Sequence, residues 1–345
     1  MALLVGGFPP VSHLLLQLGS AGSLLPELIE MTINQPGGIS LVVLGDPDRL
    51  PSHSSAEAMT FVPAPTKGWL HRLLALPTAG KDLPERLGEP ELREALRSCI
   101  IGTRYQPIVR MADGYPIGLE VLARLEHPKL GVLQPNRFVP QIEEAGLAWP
   151  LTEAVIVRTF ADWSEGKLGS FGLAIALNFP LDVLLMPEAL ASLETHRRRV
   201  GLPAGQLVVE LTESRPVAEL ARLRYAVSTL RGLGYGVAID DVGPELRDHR
   251  ALFDLPFTIL KLDRGLVRKS ATLPMANLFL AQTIAAARAA NLDIVAEGVE
   301  DKTVWNRMQG LGVDCAQGFL VARPLPASAV PLWYTDWRAK LAVQT

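Results

Sequence analysis

The stretch "TRYQPIVRMADGYPIGLEVLARL", residues 103–125, decides the fold. Two strand-like runs, 103–109 and 118–125, are separated only by "RMADGYPI". A parallel connection needs a crossover of a dozen or more residues, and Asp113-Gly114 is a hairpin signal. The first strand must therefore run antiparallel to the second. Downstream, strand-like segments recur at 173–178, 207–213, 236–242, 258–263, 293–299 and 315–321. Helical stretches of crossover length separate them, such as "MANLFLAQTIAAARAAN" between the segments at 258–263 and 293–299. Eight strands with alternating helices over roughly 240 residues predict a (β/α)₈ TIM-like barrel, here with an antiparallel first strand.

Upstream, "PTAGKDLPERLGEPEL" is polar and rich in proline and glycine, and it reads as a linker entering a helix at 91–98. Before it, "ALLVGG", "ISLVVLGD" and "MTFVPAP" read as buried parallel strands, with helical stretches "SHLLLQLGS", "LLPELIEMT" and "WLHRLLAL". The expected organisation is a small α/β domain at 1–77, a linker at 78–92 and the barrel at 93–345.

The chain of 345 residues is 48% hydrophobic and 20% charged, with a net charge of −3. That composition is globular, and without a dense basic patch it argues against duplex nucleic acid as a partner. The run His196-Arg197-Arg198-Arg199 sits late in a helical stretch, where cations suit the dipole. Two cysteines, Cys99 and Cys315, form neither a disulfide framework nor a zinc pattern, which fits a reducing cytoplasm. No apolar run reaches the ~18 residues of a membrane span, and the N-terminus lacks a secretory pattern.

The barrel strands carry polar groups near their C-terminal ends: Glu120, Asn178, Glu210, Asp240, Asp241, Lys261, Glu297 and Gln317. Those ends converge on one face of such a barrel. Five carboxylates around one pocket repel one another unless divalent cations neutralise them, and oxygen ligands with an amide carbonyl suit Mg²⁺ or Mn²⁺. Adjacent Asp240 and Asp241 read as ligands of two metals, one of them bridging. Such a pair clamps the attacking and leaving oxygens of a phosphodiester. Lys261 positions the water or stabilises developing charge, or forms an internal salt bridge; the roles are compatible.

These residues also carry a family resemblance. From "YQPIV" through "GLEVLARLEHP", "ALN", "VVELTES", "AIDD", "LKLDRGLV", "VAEGVE" and "AQGFLVARPLP", the chain resembles the EAL-domain cyclic di-GMP phosphodiesterases over roughly residues 95 to 340. The signature Glu-Ala-Leu reads Glu120-Val121-Leu122 here. The resemblance implies hydrolysis of cyclic di-GMP to linear pGpG with Mg²⁺ or Mn²⁺, and a homodimer. It implies Glu120, Asn178, Glu210 and Asp240 as ligands of one metal, and Asp240, Asp241 and Glu297 as ligands of the second. Lys261 would assist the water, while Gln106, Leu122, Arg124, Asp263 and Gln317 would contact substrate. Glu213 would support the loop after the fifth strand rather than touch a metal. Glu300 would stand behind the ligands or be only a helix N-terminal charge.

The chain departs from the family after Asp241. Relatives there carry Phe-Gly-Thr-Gly, then an aromatic residue and a serine, whereas this chain reads Val242-Gly243-Pro244-Glu245-Leu246-Arg247. Proline fixes φ and glutamate replaces a permissive glycine, so the loop takes another geometry. Three readings stay open: an active enzyme, a cyclic di-GMP receptor that does not cut, and a protein-interaction scaffold. The N-terminal domain resembles a degenerate receiver. Gly6-Gly7, Gly45 and Ala64-Pro65 stand where receivers carry acids, a phosphoacceptor and Lys-Pro, with Asp46 one place late. The resemblance implies no phosphorylation, and an interaction or dimerisation role first, with a partner-binding adaptor as the alternative.

Overall fold

The computed structural model describes residues 87–98, 100–128, 130–165, 168–212, 220–243 and 252–344, together with three strands nearer the N-terminus. The chain divides into two compact units, Met1–Glu85 and Arg86–Thr345. In the first, β1 (His13–Gln17), β2 (Ser40–Leu44) and β3 (Met59–Val62) pair in parallel in that order. β2 and β3 fall in expected strands. β1 corrects the helical reading of "SHLLLQLGS", because a run of three leucines is too short for periodicity to separate strand from helix. The expected strand "ALLVGG" and the receiver-like positions Gly6, Gly7, Gly45, Asp46, Ala64 and Pro65 lie outside the described residues.

The second unit opens with the helix Glu89–Arg97, which has proline in its first turn and buries Leu92 and Ala95. The barrel strands follow: β4 (Ile101–Arg110), β5 (Pro116–His127), β7 (Ala174–Pro180), β8 (Leu207–Thr212), β9 (Gly236–Val242), β10 (Ile259–Leu262), β11 (Asp293–Ala296) and β12 (Cys315–Gln317), with β6 (Gly131–Leu133) between β5 and β7. From β5 to β12 the barrel neighbours are parallel, and β4 closes the ring by pairing antiparallel with both β12 and β5. The antiparallel first strand is thus present, forced by a connection too short for a helix. Unforeseen is β6, which pairs antiparallel with the end of β5 across a turn where Gly131 takes φ 71°.

Alternation along each strand builds the site. Leu260 and Leu262 of β10 are fully buried in the main core with the helices, so Lys261 between them faces the other way, into the barrel. The same step of two puts Ala176 below Asn178, Val208 below Glu210, Ala238 below Asp240, Val295 below Glu297 and Cys315 below Gln317. Ala176, Val208 and Ala238 form one small apolar cluster, and Ile108, Val295 and Cys315 another. A floor of buried apolar side chains therefore lies under a layer of acids and amides.

The C-terminal helix Val330–Gln344 holds the β4–β5 hairpin from outside. Trp337 Nε1 donates to the carbonyl of Gly114 at 2.8 Å, and the Arg338 guanidinium lies 4.2 Å from the centre of the Tyr115 ring. Gly114 takes φ 70°, and a side chain there would strike Leu341. Because Leu87 is buried and its N–H donates to Gln141 Oε1 at 2.6 Å, a fragment spanning 86–345 is expected to unfold in one cooperative transition. Aggregation or a non-cooperative melt of that fragment would contradict an autonomous barrel.

Candidate active site

Lys261 is 1% exposed and lies at the centre of four carboxylates. Its Nζ is 2.7 Å from Glu297 Oε1, 2.9 Å from Glu210 Oε2, 2.9 Å from Asp240 Oδ1 and 3.6 Å from Glu120 Oε2. β5, β8, β9 and β11 each supply one of them, Glu297 immediately following its strand. A charge this buried persists only when paired, and here the acids outnumber the ammonium. Burial opposes the charge on Lys261, but Glu120, Glu210, Glu297 and Asp240 together hold its pKa well above the usual lysine value. It is therefore an ammonium throughout the physiological range.

Asp241 joins this group through a break in strand pairing. Leu260 pairs with Ile239, but Leu262 pairs with Val242, so Asp240 and Asp241 together oppose the single residue Lys261. Asp241 takes φ 53°, a left-handed conformation that aspartate tolerates better than most side chains. This bulge brings two consecutive carboxylates to the same rim, which regular alternation forbids. Oxygens of Asp240, Asp241 and Glu297 lie within 4.8 Å of one another, a spacing that can hold a metal ion.

Two amides complete the layer. Asn178 Nδ2 donates to Glu120 Oε1 at 3.1 Å. Gln317 Nε2 donates to Glu120 Oε2 and, at 3.2 Å, to Gln106 Oε1, while its own Oε1 is buried with no hydrogen-bond donor among the described residues. Gln106 Nε2 in turn donates to the carbonyl of Ala322 at 3.2 Å. A cavity of about 300 Å³ opens over this layer, and Gln106, Glu120, Leu122, Asp241, Asp263, Glu297, Glu300 and Gln317 are among its lining residues. Asp263 caps the helix Arg264–Lys269, its Oδ1 accepting from the Leu266 N–H at 2.8 Å. Glu300 reaches the cavity, and the cap of the helix Lys302–Gly310 is its neighbour Asp301, which accepts from the Val304 N–H at 2.9 Å.

Arg124 is not among the lining residues. It shares a strand face with Glu120 and Leu122 but sits further along β5, 5% exposed, with Nη1 donating to the carbonyl of Ala123 at 2.8 Å. Burial, then the nearby Arg104, lower its pKa to about 10. Glu213 and residues 244–251 of the altered loop lie outside the described residues. Sequence reasoning passed over Arg264, Gly298, Gly318 and Phe319, which also line the cavity. Arg264 follows Asp263 directly in "LKLDRGLV", and that adjacency was the available signal.

The donor set suits a hard divalent cation: carboxylate oxygens and two amide side chains at the rim, with no thiol and no imidazole there among the described residues. The protons the acids retain without one say the same. Burial and then Asp240 raise the pKa of Asp241 to about 6, and burial raises that of Glu297 to about 8. Between the ordinary carboxylate range and these values the folded state binds more protons than the unfolded chain. Stability of the metal-free protein therefore falls as pH rises from about 4 to 8. A cation displaces those protons, so Mn²⁺ affinity is expected to rise about tenfold per pH unit between pH 6 and 8. Calorimetric titration across that range checks this, and a flat profile would contradict it.

A closed eight-stranded barrel with acids and amides from successive strand ends around one lysine defines the class. The chain belongs to the EAL domain family, whose model matches residues 89–324. It is 33% identical over 244 residues to the bifunctional diguanylate cyclase/cyclic di-GMP phosphodiesterase MucR of Pseudomonas aeruginosa, covering 69% of this chain and 35% of that protein. Against the cyclic di-GMP phosphodiesterase RocR of the same organism it is 33% identical over 272 residues, covering 74% of this chain and 68% of RocR. The solved structure described as the PaMucR phosphodiesterase in complex with c-di-GMP matches with a TM-score of 0.65 and 31% identity, covering 70% of this chain and 98% of that one. This chain thus spans about a third of the length of MucR and about two thirds of RocR. Among the described residues, no helix is long and apolar enough to cross a membrane.

Proposed function

We propose that this chain is a phosphodiesterase that hydrolyses cyclic di-GMP to linear pGpG with two Mg²⁺ or Mn²⁺ ions. The observation that carries the reading is the buried Lys261 ringed by Glu120, Glu210, Asp240 and Glu297, with Asp241 brought alongside by the bulge. Glu120, Asn178, Glu210 and Asp240 would hold one ion, and Asp240, Asp241 and Glu297 the other. Asn178 now turns its NH₂ toward Glu120, so ligation takes the opposite end of the amide. When bound, the ions supply charge neutralisation and an activated water at neutral pH.

The chain's own groups do the rest. Lys261 stays protonated, so it takes no proton; it donates hydrogen bonds to the attacking water and to the charge that develops on the phosphoryl oxygens. Gln317, held by Glu120 and Gln106, presents its unpaired Oε1 to accept from that water. Gln106, Leu122 and Asp263 form the cavity wall against which the nucleotide is held. In the reaction water adds its oxygen to one phosphorus, the P–O3′ bond breaks, a water proton ends on O3′ to give the 3′-hydroxyl, and the ring opens to a linear product with a 5′-phosphate.

The experiment is incubation of the protein with cyclic di-GMP and Mn²⁺, followed by chromatography for pGpG. A receptor that binds without cutting is the second reading, favoured by Val242-Gly243-Pro244-Glu245 after the metal-ligand pair. A 1 Å misplacement of a reacting group costs about 10²-fold in rate. Calorimetry with cyclic di-GMP in Ca²⁺ separates the two: heat of binding without pGpG formation in Mn²⁺ identifies a receptor.

A further inference from the structure

We propose that Arg264 binds the phosphodiester of cyclic di-GMP that is not cut; the inference rests on the phosphodiesterase reading above. The cavity is lined by the carboxylates of Glu120, Asp241, Asp263, Glu297 and Glu300, and among the described residues Arg264 is the sole lysine or arginine that lines it. A cyclic dinucleotide carries two phosphodiester anions. Ions held by the acids would neutralise one of them. The other meets an acidic wall, and its approach costs energy unless a cation faces it.

Arg264 is seated for this. Gly298, in the segment that follows β11, takes φ 64°, and a Cβ there would fall 2.8 Å from both Cβ and Cδ of Arg264 and closer still to its Cγ. The missing side chain of Gly298 is therefore the groove in which the aliphatic stem of Arg264 lies. Such a groove fixes the stem while the guanidinium remains exposed. A stem already held gives up less rotamer freedom on binding, and the planar fork matches two phosphate oxygens at once. Among the described residues, Arg264 is in no salt bridge or side-chain hydrogen bond, although five carboxylates line the same cavity. A surface arginine with only a solubilising role needs no groove cut for its stem. An arginine serving as a counter-ion to those acids would be bonded to one of them.

The test measures affinity for cyclic di-GMP, pGpG and GMP by calorimetry in Ca²⁺, using the 345-residue chain and the variants Arg264→Gln and Arg264→Lys. Charge-assisted hydrogen bonds lost from a binding site reduce affinity roughly 10- to 100-fold. Arg264→Gln is expected to lose about that much for cyclic di-GMP and pGpG, which both contain the phosphodiester, and to lose almost nothing for GMP, which lacks one. Arg264→Lys keeps the charge and is expected to lose less. The salt dependence of cyclic di-GMP binding should weaken in Arg264→Gln and persist in Arg264→Lys. Melting temperature and Mn²⁺ affinity, read on the same samples, show that the variants are folded with the acids in place. Cyclic di-GMP affinity within twofold of wild type in Arg264→Gln would overturn the proposal. An equal loss for GMP would overturn it too, since Arg264 would then read the base or the terminal phosphate. If wild-type protein binds no cyclic di-GMP at all, the phosphodiesterase reading itself fails and this inference goes with it.

Discussion

Replacing Lys261 with methionine is expected to lower the melting temperature of the metal-free protein by roughly 6–20 °C, and divalent cations should restore most of the loss. The substitution keeps side-chain bulk but removes the one charge that stands 2.7–3.6 Å from Glu120, Glu210, Asp240 and Glu297. Breaking a buried ion group from one side typically costs about 3–5 kcal/mol, because the remaining charges are left without compensation. Here the acids have a second recourse, which is to take up protons. Glu297 with a pKa of about 8 and Asp241 at about 6 already lean that way, so the penalty should be smaller at pH 5.5 than at pH 8. Mn²⁺ should raise the melting temperature of Lys261→Met by more than it raises that of wild type, since it fills a larger deficit of positive charge. Turnover should nevertheless fall about 10²–10³-fold at saturating Mn²⁺, the usual cost of removing one donor to a charged transition state. Calorimetric melts at the two pH values, with and without Mn²⁺, test the electrostatic part. A metal-free melting temperature unchanged at pH 8 would mean that Lys261 is not the counter-charge of this layer.

The barrel was legible because one connection left no freedom. Eight residues between two strands exclude a crossover helix, and β4 is antiparallel to both neighbours as that exclusion requires. The gathering of Glu120, Glu210, Asp240, Lys261 and Glu297 was legible for a related reason. An ionisable group inside an apolar strand must find partners, and the barrel offers one face on which strand ends meet. Three features were hidden, two because they are properties of backbone geometry between neighbours and one because its run is short. The bulge opposite Lys261 depends on Asp241 entering the left-handed region, which the letters Asp-Asp do not disclose. The groove under Arg264 needs Gly298 beside it, thirty-four positions on in sequence and in contact only through the barrel. In β1 the run His13–Gln17 carries no periodicity long enough to separate strand from helix. The motif's Arg124 shares a strand face with Glu120 and Leu122, which its spacing along β5 already implied.

Glu120→Ala should remove turnover by about 10³-fold or more, and saturating Mn²⁺ should not restore it. Glu120 sits on β5, and both its oxygens are engaged: Oε1 accepts from Asn178, and Oε2 accepts from Gln317 and faces Lys261 at 3.6 Å. Alanine therefore deletes a metal ligand and at the same time frees two amides to rotate, so a rate loss alone would not separate the two effects. Glu120→Gln separates them. Glutamine keeps the volume and can still accept through its carbonyl, which holds one of the two amides, but it carries no charge to offer a cation. If Glu120 acts as a ligand, Glu120→Gln loses turnover nearly as completely as Glu120→Ala while melting close to wild type, and its Mn²⁺ affinity falls. If Glu120 acts only by holding Asn178 and Gln317 in place, Glu120→Gln keeps most of the rate, and only Glu120→Ala is impaired. Rates of both variants that match wild type at saturating Mn²⁺ would remove Glu120 from the metal-ligand set. The acid layer above Ala176, Val208 and Ala238 would then serve the fold of the barrel rather than its chemistry.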